Sequence, residues 1–261
     1  MDRRVLESFA KGTESYMTRL IGSMVIKNEK DRYLEDCINH AFTFLDEIFV
    51  YDDRSSDGSA ELAMDLGCRV VRRPDSRPSF LNHEGKFRYA AWRAFEQVMQ
   101  PNLADWILSF DADEFPVASQ DIRKTLEVAI GRAESSGAVG IVLPFPEIFK
   151  IDEQGFWART DGLWNTIRGP RLFKYDLNGQ WSDKPMGCGS EPDYVAKGKI
   201  SDQNYGINVL HLGYAKDEDK QNKYKRYSSL AQHGHNNSHI ESIIKEPKLE
   251  LWQGITPKVI L

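Results

Sequence analysis

Residues 105–116, "DWILSFDADEFP", place three carboxylates, Asp111, Asp113 and Glu114, behind a strand-like run of Trp106, Ile107, Leu108 and Phe110. Like charges this close resist ionising together, so the cluster calls for compensation, and a bound divalent cation is the expected source. If the chain stays extended, positions two apart face the same side. Asp111 and Asp113 can then share a hard cation such as Mg2+ or Mn2+, which takes oxygen ligands and substrate phosphates. A helix N-terminus would accommodate the same acids through its macrodipole. A second pair, Asp52 and Asp53, follows the apolar run "EIFVY". A carboxylate there can accept a hydrogen bond from the ring N–H of uracil, thymine or guanine, a donor that cytosine lacks. The stretch "DDRSSDG" also has the composition of a turn.

Such acids act only if regular elements hold them. "LIGSMVIK" (20–27) reads as a buried strand, and "DRYLEDCINHAFTFL" sets Leu34, Cys37, Ile38, Ala41, Phe42 and Leu45 at helical spacing. A short strand at 47–51, a helix "SAELAMDLG" and a strand at 68–73 follow. "EGKFRYAAWRAFEQVM" (84–99) is a strong helix, "DWILSF" a fourth strand, "IRKTLEVAIGRAES" a helix and 138–145 a fifth strand. This alternation implies an α/β fold with a mostly parallel sheet covered on both faces. Ligands of such sheets collect at strand carboxyl ends, where both acid pairs stand.

Beyond residue 146 the alternation fades. Trp157, Trp164 and Trp181 lie among Gly, Asp and Pro, in positions suited to sugar stacking or to core packing. "INVLHLGY" (207–214) reads as a strand, and "KDEDKQNKYKRYSSLAQHG" as a charged helix with a solvated face. Composition is that of an ordinary globular protein, 41% apolar and 28% charged. A net charge of -5 opposes broad attraction to nucleic acid or anionic membrane. Three widely spaced cysteines form neither a disulfide framework nor a zinc pattern, and Cys37 falls on an apolar stripe. The N-terminal residues lack a signal-peptide core, and no apolar run approaches the roughly 20 residues that span a bilayer. A cytoplasmic setting is the expectation.

Taken together, "MVIKNEKDRYLEDCINHAF", "DEIFVYDDRSSDGSAELA" and "WILSFDADEF" resemble, in order and spacing, family 2 glycosyltransferases of the GT-A fold. The resemblance covers residues 20 to about 150 and continues more weakly through "HLGY". It implies a single GT-A-type domain with a Rossmann-like, mostly parallel mixed sheet, helices on both faces and a less regular C-terminal half. Residues 1–19 would be an N-terminal extension, 20–145 the nucleotide-sugar half, 146–235 the acceptor half and 236–261 a tail.

The resemblance further implies a nucleotide-sugar donor, a UDP-sugar before a GDP-sugar, with Mn2+ or Mg2+ as cofactor. Ile26, Lys27, Asn28 and Glu29 would line the nucleoside pocket, and Asp53 would read the base. Asp111 would lie near the ribose or the metal, Asp113 would be the principal metal ligand, and His211 a further one. Lys86 and Arg88, at the start of a helix, suit a diphosphate; Lys216 or Lys220 could close over it. For Arg93 and for the cluster His233, His235 and His239 the expectation is solvent.

Inverting transfer needs a base on the far face of the sugar. The Glu-Asp pair usual in the family is missing from the expected position, leaving Asp183, then Glu191, as candidates and the stereochemistry open. The glycine-rich "MGCGSEP" (186–192) has the composition of a lid. The acceptor could be a glycan, a lipid carrier, a protein or a modified base. Competing readings are a metal-dependent phosphohydrolase or nucleotidyltransferase, or a non-catalytic GT-A domain that binds nucleotide or carbohydrate. A haloacid-dehalogenase-like hydrolase would carry its Asp-x-Asp after the first strand, and a nucleotidyltransferase a glycine-rich loop there; "KNEKDRYL" has no glycine.

Overall fold

The computed structural model describes residues 18–161, 169–185, 188–230 and 237–257. Trp164, His233, His235, Met186, Gly187 and most of the expected N-terminal extension lie outside the described residues, as does the side chain of His239.

Seven strands form the main sheet: β1 (Leu20–Ile26), β2 (Glu47–Asp52), β3 (Arg69–Arg72), β4 (Trp106–Ser109), β6 (Gly140–Ile141), β9 (Leu172–Lys174) and β10 (Ile200–Ser201). Their order is β10-β6-β9-β4-β1-β2-β3. β1 pairs in parallel with both β2 and β4, and β2 with β3. β9 alone runs antiparallel to its neighbours β4 and β6. The order reverses at β1, so the carboxyl ends of β1 and β4 open the crevice where α/β sheets bind ligands.

Side chains on these strands alternate between two faces, as a period of two requires. Ile21, Phe49, Ile107 and Phe173 pack on one face against Phe87, Trp92 and Phe95 of α3 (Glu84–Met99). Met24, Val50 and Leu108 pack on the other, against α1 (Leu34–Ala41) and α4 (Ile122–Ser136). α2 (Ser59–Asp65) leads into β3, and the sheet is mixed and covered on both faces, as expected.

Three features depart from the expected elements. The fifth strand narrows to β6, because Pro144 and Pro146 cannot donate to a ladder. Their carbonyls instead accept Val209 N (2.8 Å) and His211 N (3.0 Å) of β11 (Ile207–His211). An unanticipated strand, β5 (Glu114–Ala118), pairs antiparallel with β11 and sets His211 opposite Glu114. A further small sheet joins β7 (Ile148–Asp152), β8 (Gly155–Arg159) and β12 (Leu249–Leu251). The remaining helices are α5 (Asp193–Lys197), α6 (Asp217–Leu230) and α7 (Asn237–Ile244). Among the described residues no helix is long and apolar enough to cross a membrane.

Gly22, in the middle of β1, lies under tight cover: a Cβ there would stand 2.8 Å from Leu45 Cδ1 and 2.9 Å from Phe110 Cε1. Both neighbours belong to the same packed core cluster, so they have little room to yield. Gly22→Val should therefore destabilise the chain by about 2 kcal/mol through overpacking. Urea unfolding checks this, and an unchanged midpoint would mean that the core is looser than these distances.

Candidate functional site

β4 ends at Ser109 and the chain then turns, with Glu114 N donating to Asp111 O at 3.0 Å. The backbone is thus not extended at 111–113, which corrects the same-side arrangement expected for the two aspartates. Asp111 is exposed and borders the crevice, whereas Asp113 is buried, with its carbonyl accepting Leu212 N at 2.8 Å.

Asp113 is the centre of a charged cluster. His211 Nε2 lies 3.4 Å from its Oδ1, and Arg32 Nη2 and Lys223 Nζ each lie 3.4 Å from its Oδ2. Lys223 Nζ is also 3.2 Å from His211 Nε2. Burial by itself would raise the Asp113 carboxyl, but its neighbours, the Lys223 ammonium first, outweigh it and hold the group well below the usual range. Glu114 accepts Arg171 Nη2 at 2.5 Å and Asp111 N at 3.1 Å. Burial pushes its carboxyl up to about 7, against the pull of Arg171. The acids at the tip of β4 are therefore compensated by side-chain cations as well as by any bound ion.

Arg32 ties this cluster to two elements, meeting Glu29 Oε2 at 2.5 Å and Asp219 Oδ1 of α6 at 2.9 Å. Burial is also the main cause that lifts Glu29 to about 7, with Arg32 opposing it. Lys216 and Lys220, expected near a diphosphate, lie over the rings of Tyr33 (5.0 Å) and Phe149 (5.8 Å).

The donor chemistry at Asp113 fits a divalent ion. His211 Nδ1 faces the carboxylate of buried Glu147, which assigns the ring proton to Nδ1 and leaves the Nε2 lone pair facing the Asp113 side. Burial first, and then Lys223, lowers the His211 pKa and keeps the imidazole neutral. Gly213 lines the same seat: a Cβ there would lie 2.5 Å from both Asp113 Oδ2 and His211 Nε2 and would clash with Lys223 Nζ. Among the described residues no group of three His, Cys, Asp or Glu side chains forms a ready metal cage, so an ion held here would need phosphate or water oxygens as further ligands. Asp111, the third expected ligand, is exposed on the crevice wall.

The expected nucleoside residues gather at the ends of β1 and β2. Ile26 is buried, and its carbonyl accepts Asp53 N at 2.9 Å. Lys27 Nζ donates to Asp53 O at 2.6 Å. Asn28 adopts φ 56°, a left-handed conformation that Asn tolerates better than most residues. Its Oδ1 accepts Ser56 N at 2.8 Å, and its own N donates to Ser55 Oγ at 2.9 Å. Glu29 N donates to Ser59 Oγ at 2.8 Å. The Asp53 carboxylate is 1% exposed, with Arg73 Nε at 2.5 Å and Phe80 N at 3.2 Å.

Val25, Arg88, Trp92, Asp111, Trp181 and Ser190 line the crevice between β1, β4 and α3. Arg88 Nε donates to Glu84 Oε1 at 2.8 Å, while Lys86 is largely exposed, 3.8 Å from Asp183. Asp183 also meets His83 Nε2 at 3.1 Å and is 73% exposed. Glu191 is half-buried; a Cβ on Gly189 would come within 2.5 Å of both its carboxylate oxygens. Burial raises its pKa, with Arg171 and Arg88 pulling it down. Trp181 lies tilted against Trp92, with ring centroids 5.5 Å apart, whereas Trp157 sits on the β7–β8 hairpin and donates to Asp152. Exposed Arg93 pairs with Glu96.

Sequence reasoning missed Arg32, Glu147, Arg171, Asp219 and Lys223. The one available signal was the four-residue spacing of Asp219 and Lys223, which puts both on one face of α6. That face meets the site, so α6 is not solvated all round.

The glycosyl transferase family 2 model matches residues 23–189. An uncharacterised glycosyltransferase of Rickettsia typhi is 30% identical over 111 residues, 42% of this chain and 32% of that protein. One from Rickettsia bellii is 31% identical over 98 residues, 38% of this chain and 29% of its own length. The chain thus spans about a third of the length of these relatives. Among solved structures, glucosyl-3-phosphoglycerate synthase from Mycobacterium tuberculosis, in complex with Mn2+, UDP and glucosyl-3-phosphoglycerate, aligns with a TM-score of 0.46 at 15% identity. That alignment covers 90% of this chain and 88% of the other. S. aureus TarS aligns with a TM-score of 0.46 at 14% identity, over 87% of this chain and 42% of its own. With the family model matched over more than half of its length, the chain belongs to glycosyl transferase family 2.

Proposed function

We propose that this chain transfers a sugar from a nucleoside-diphosphate donor, a UDP-sugar before a GDP-sugar, with the help of a divalent metal, Mn2+ or Mg2+. One observation carries the reading: a buried carboxylate, Asp113, lies 3.4 Å from His211 Nε2 beside the crevice at the carboxyl ends of β1 and β4. Asp113 and His211 would hold the ion, and the ion when bound would stabilise the charge developing on the departing diphosphate.

The chain's own residues supply the rest. Asp53, aimed by Arg73, would accept the ring N–H of uracil, since each carboxylate oxygen takes more than one hydrogen bond. Lys27, Asn28 and Glu29 shape the loop beside it. Arg88, in the crevice wall, is better placed than exposed Lys86 to meet a phosphate or sugar oxygen. Asp111, on the rim, would orient the ribose or sugar hydroxyls.

For the base we favour Glu191 over Asp183. Glu191 is half-buried next to Ser190 of the crevice, while Asp183 is exposed and paired with His83 and Lys86. In an inverting transfer the acceptor oxygen bonds to the anomeric carbon, the carbon–phosphate oxygen bond breaks, and the acceptor proton passes to Glu191. The acceptor, whether glycan, lipid carrier, protein or modified base, would enter from that side.

Four measurements test this reading. With Mn2+ and a panel of nucleotide sugars, calorimetry should show binding of UDP-sugars, with slow donor hydrolysis that EDTA abolishes. A folded chain that binds no donor would overturn the proposal. Asp113→Ala should abolish metal-dependent hydrolysis; undiminished turnover would remove Asp113 from the site. Glu191→Gln should slow hydrolysis on the order of 100-fold with donor affinity kept, and Asp183→Asn should leave it within about threefold. Because burial raises the Glu191 pKa, its basic form is gained only above the ordinary Glu range. The rate should rise with pH through that raised value, and the rise should vanish in E191Q.

A further inference from the structure

Lys223 stands where a cation belongs. Its ammonium is 3.4 Å from Asp113 Oδ2 and 3.2 Å from His211 Nε2, in a side chain only 13% exposed. The Tyr214 ring lies under it, 4.4 Å from the nitrogen to the centroid, and the Gly213 backbone leaves it room that any Cβ would take away. It therefore touches the same two atoms that would ligate a metal. From these contacts we infer that Lys223 is a built-in placeholder, an ammonium that fills the metal seat and must leave it when a divalent ion enters. This rests on the reading of Asp113 and His211 as the metal seat.

The chemistry favours exchange over permanent substitution. An ammonium offers donors only, so it can satisfy the Asp113 oxygen and the His211 lone pair but cannot coordinate phosphate oxygens alongside them. The ion and the ammonium would meet the same two atoms, Asp113 Oδ2 and His211 Nε2, so they cannot share the seat. Lys is suited to leaving, because a compact, readily hydrated charge sits on a flexible four-carbon stem. Arg32, the other cation on Asp113 Oδ2, is anchored on both sides by Glu29 and Asp219 and stays. The Arg32–Asp219 pair holds α6 over the site while the side chain four residues along exchanges. While the seat is empty the placeholder also spares Asp113 from being a buried, under-compensated charge.

The test is direct titration of Mn2+ into the full chain without donor, following the free-ion signal by electron paramagnetic resonance. Lys223→Met should bind Mn2+ about tenfold more tightly than the parent, because no ammonium competes for the seat. Lys223→Gln, a second neutral variant in case the first is poorly folded, should behave alike. Lys223→Arg, which keeps the charge, should stay near the parent, and Asp113→Asn should lose the site in both the parent and the K223M background. Mn2+ binding that depends on Asp113 but is equal or weaker in both neutral variants would overturn the placeholder and leave the seat standing. Binding that D113N leaves unchanged would remove the seat, and the placeholder with it.

Discussion

A carboxylate buried at 6% exposure has to be matched by positive charge, and the architecture around Asp113 is arranged to supply it. The turn after β4 carries Asp113 inward, β5 pairs with β11 to bring His211 to it, and α6 delivers Lys223 from a segment more than a hundred residues later. Pro144 and Pro146 share in this, since their freed carbonyls hold β11 at the height where Glu147 meets His211. Local chain chemistry, long-range pairing and charge balance thus meet on one side chain.

Two aspartates two residues apart end in different surroundings. Asp111 faces the crevice and solvent, and Asp113 faces an imidazole and two cations. Environment, more than residue type, separates what each can do. The same holds for the pair at β2. Asp52 accepts the backbone Ser55 N at 3.0 Å and the Arg72 side chain through Nε at 3.0 Å, while the Asp53 backbone carbonyl accepts Lys27 Nζ. Asp52 fixes the turn, and the buried Asp53 carboxylate is held by Arg73 Nε at 2.5 Å and Phe80 N at 3.2 Å.

The first half of the fold was legible because its elements are long and amphipathic. The periodicity of 84–99 coincides with α3, and the strands expected at 20–27 and 47–51 are observed as Leu20–Ile26 and Glu47–Asp52. In the second half the strand at 207–214 and the charged helix after it were also legible, observed as β11 and α6, but β6, β9 and β10 are only two or three residues long and carry too little periodicity to read. β5 was hidden for a different reason: Pro116 and the acids before it speak against a strand, and only the partner β11 makes one. Asp53, Asp111 and Asp113 could be singled out from their place at strand ends, and His211 from resemblance. Arg32 and Glu147 could not, since each matters through a contact that no spacing encodes, and Lys223 offered only its spacing from Asp219.

The antiparallel strand β9 has a consequence for how the chain acquires its shape. It sits between β4 and β6, so the edge of β4 stays unpaired until residues 172–174 arrive. During synthesis the early strands can align with one another, yet β6 cannot join them in the sheet until residues 172–174 have emerged. Pairing across so long a separation is slow, and the waiting edge is the place where a nascent copy would stick to its neighbours.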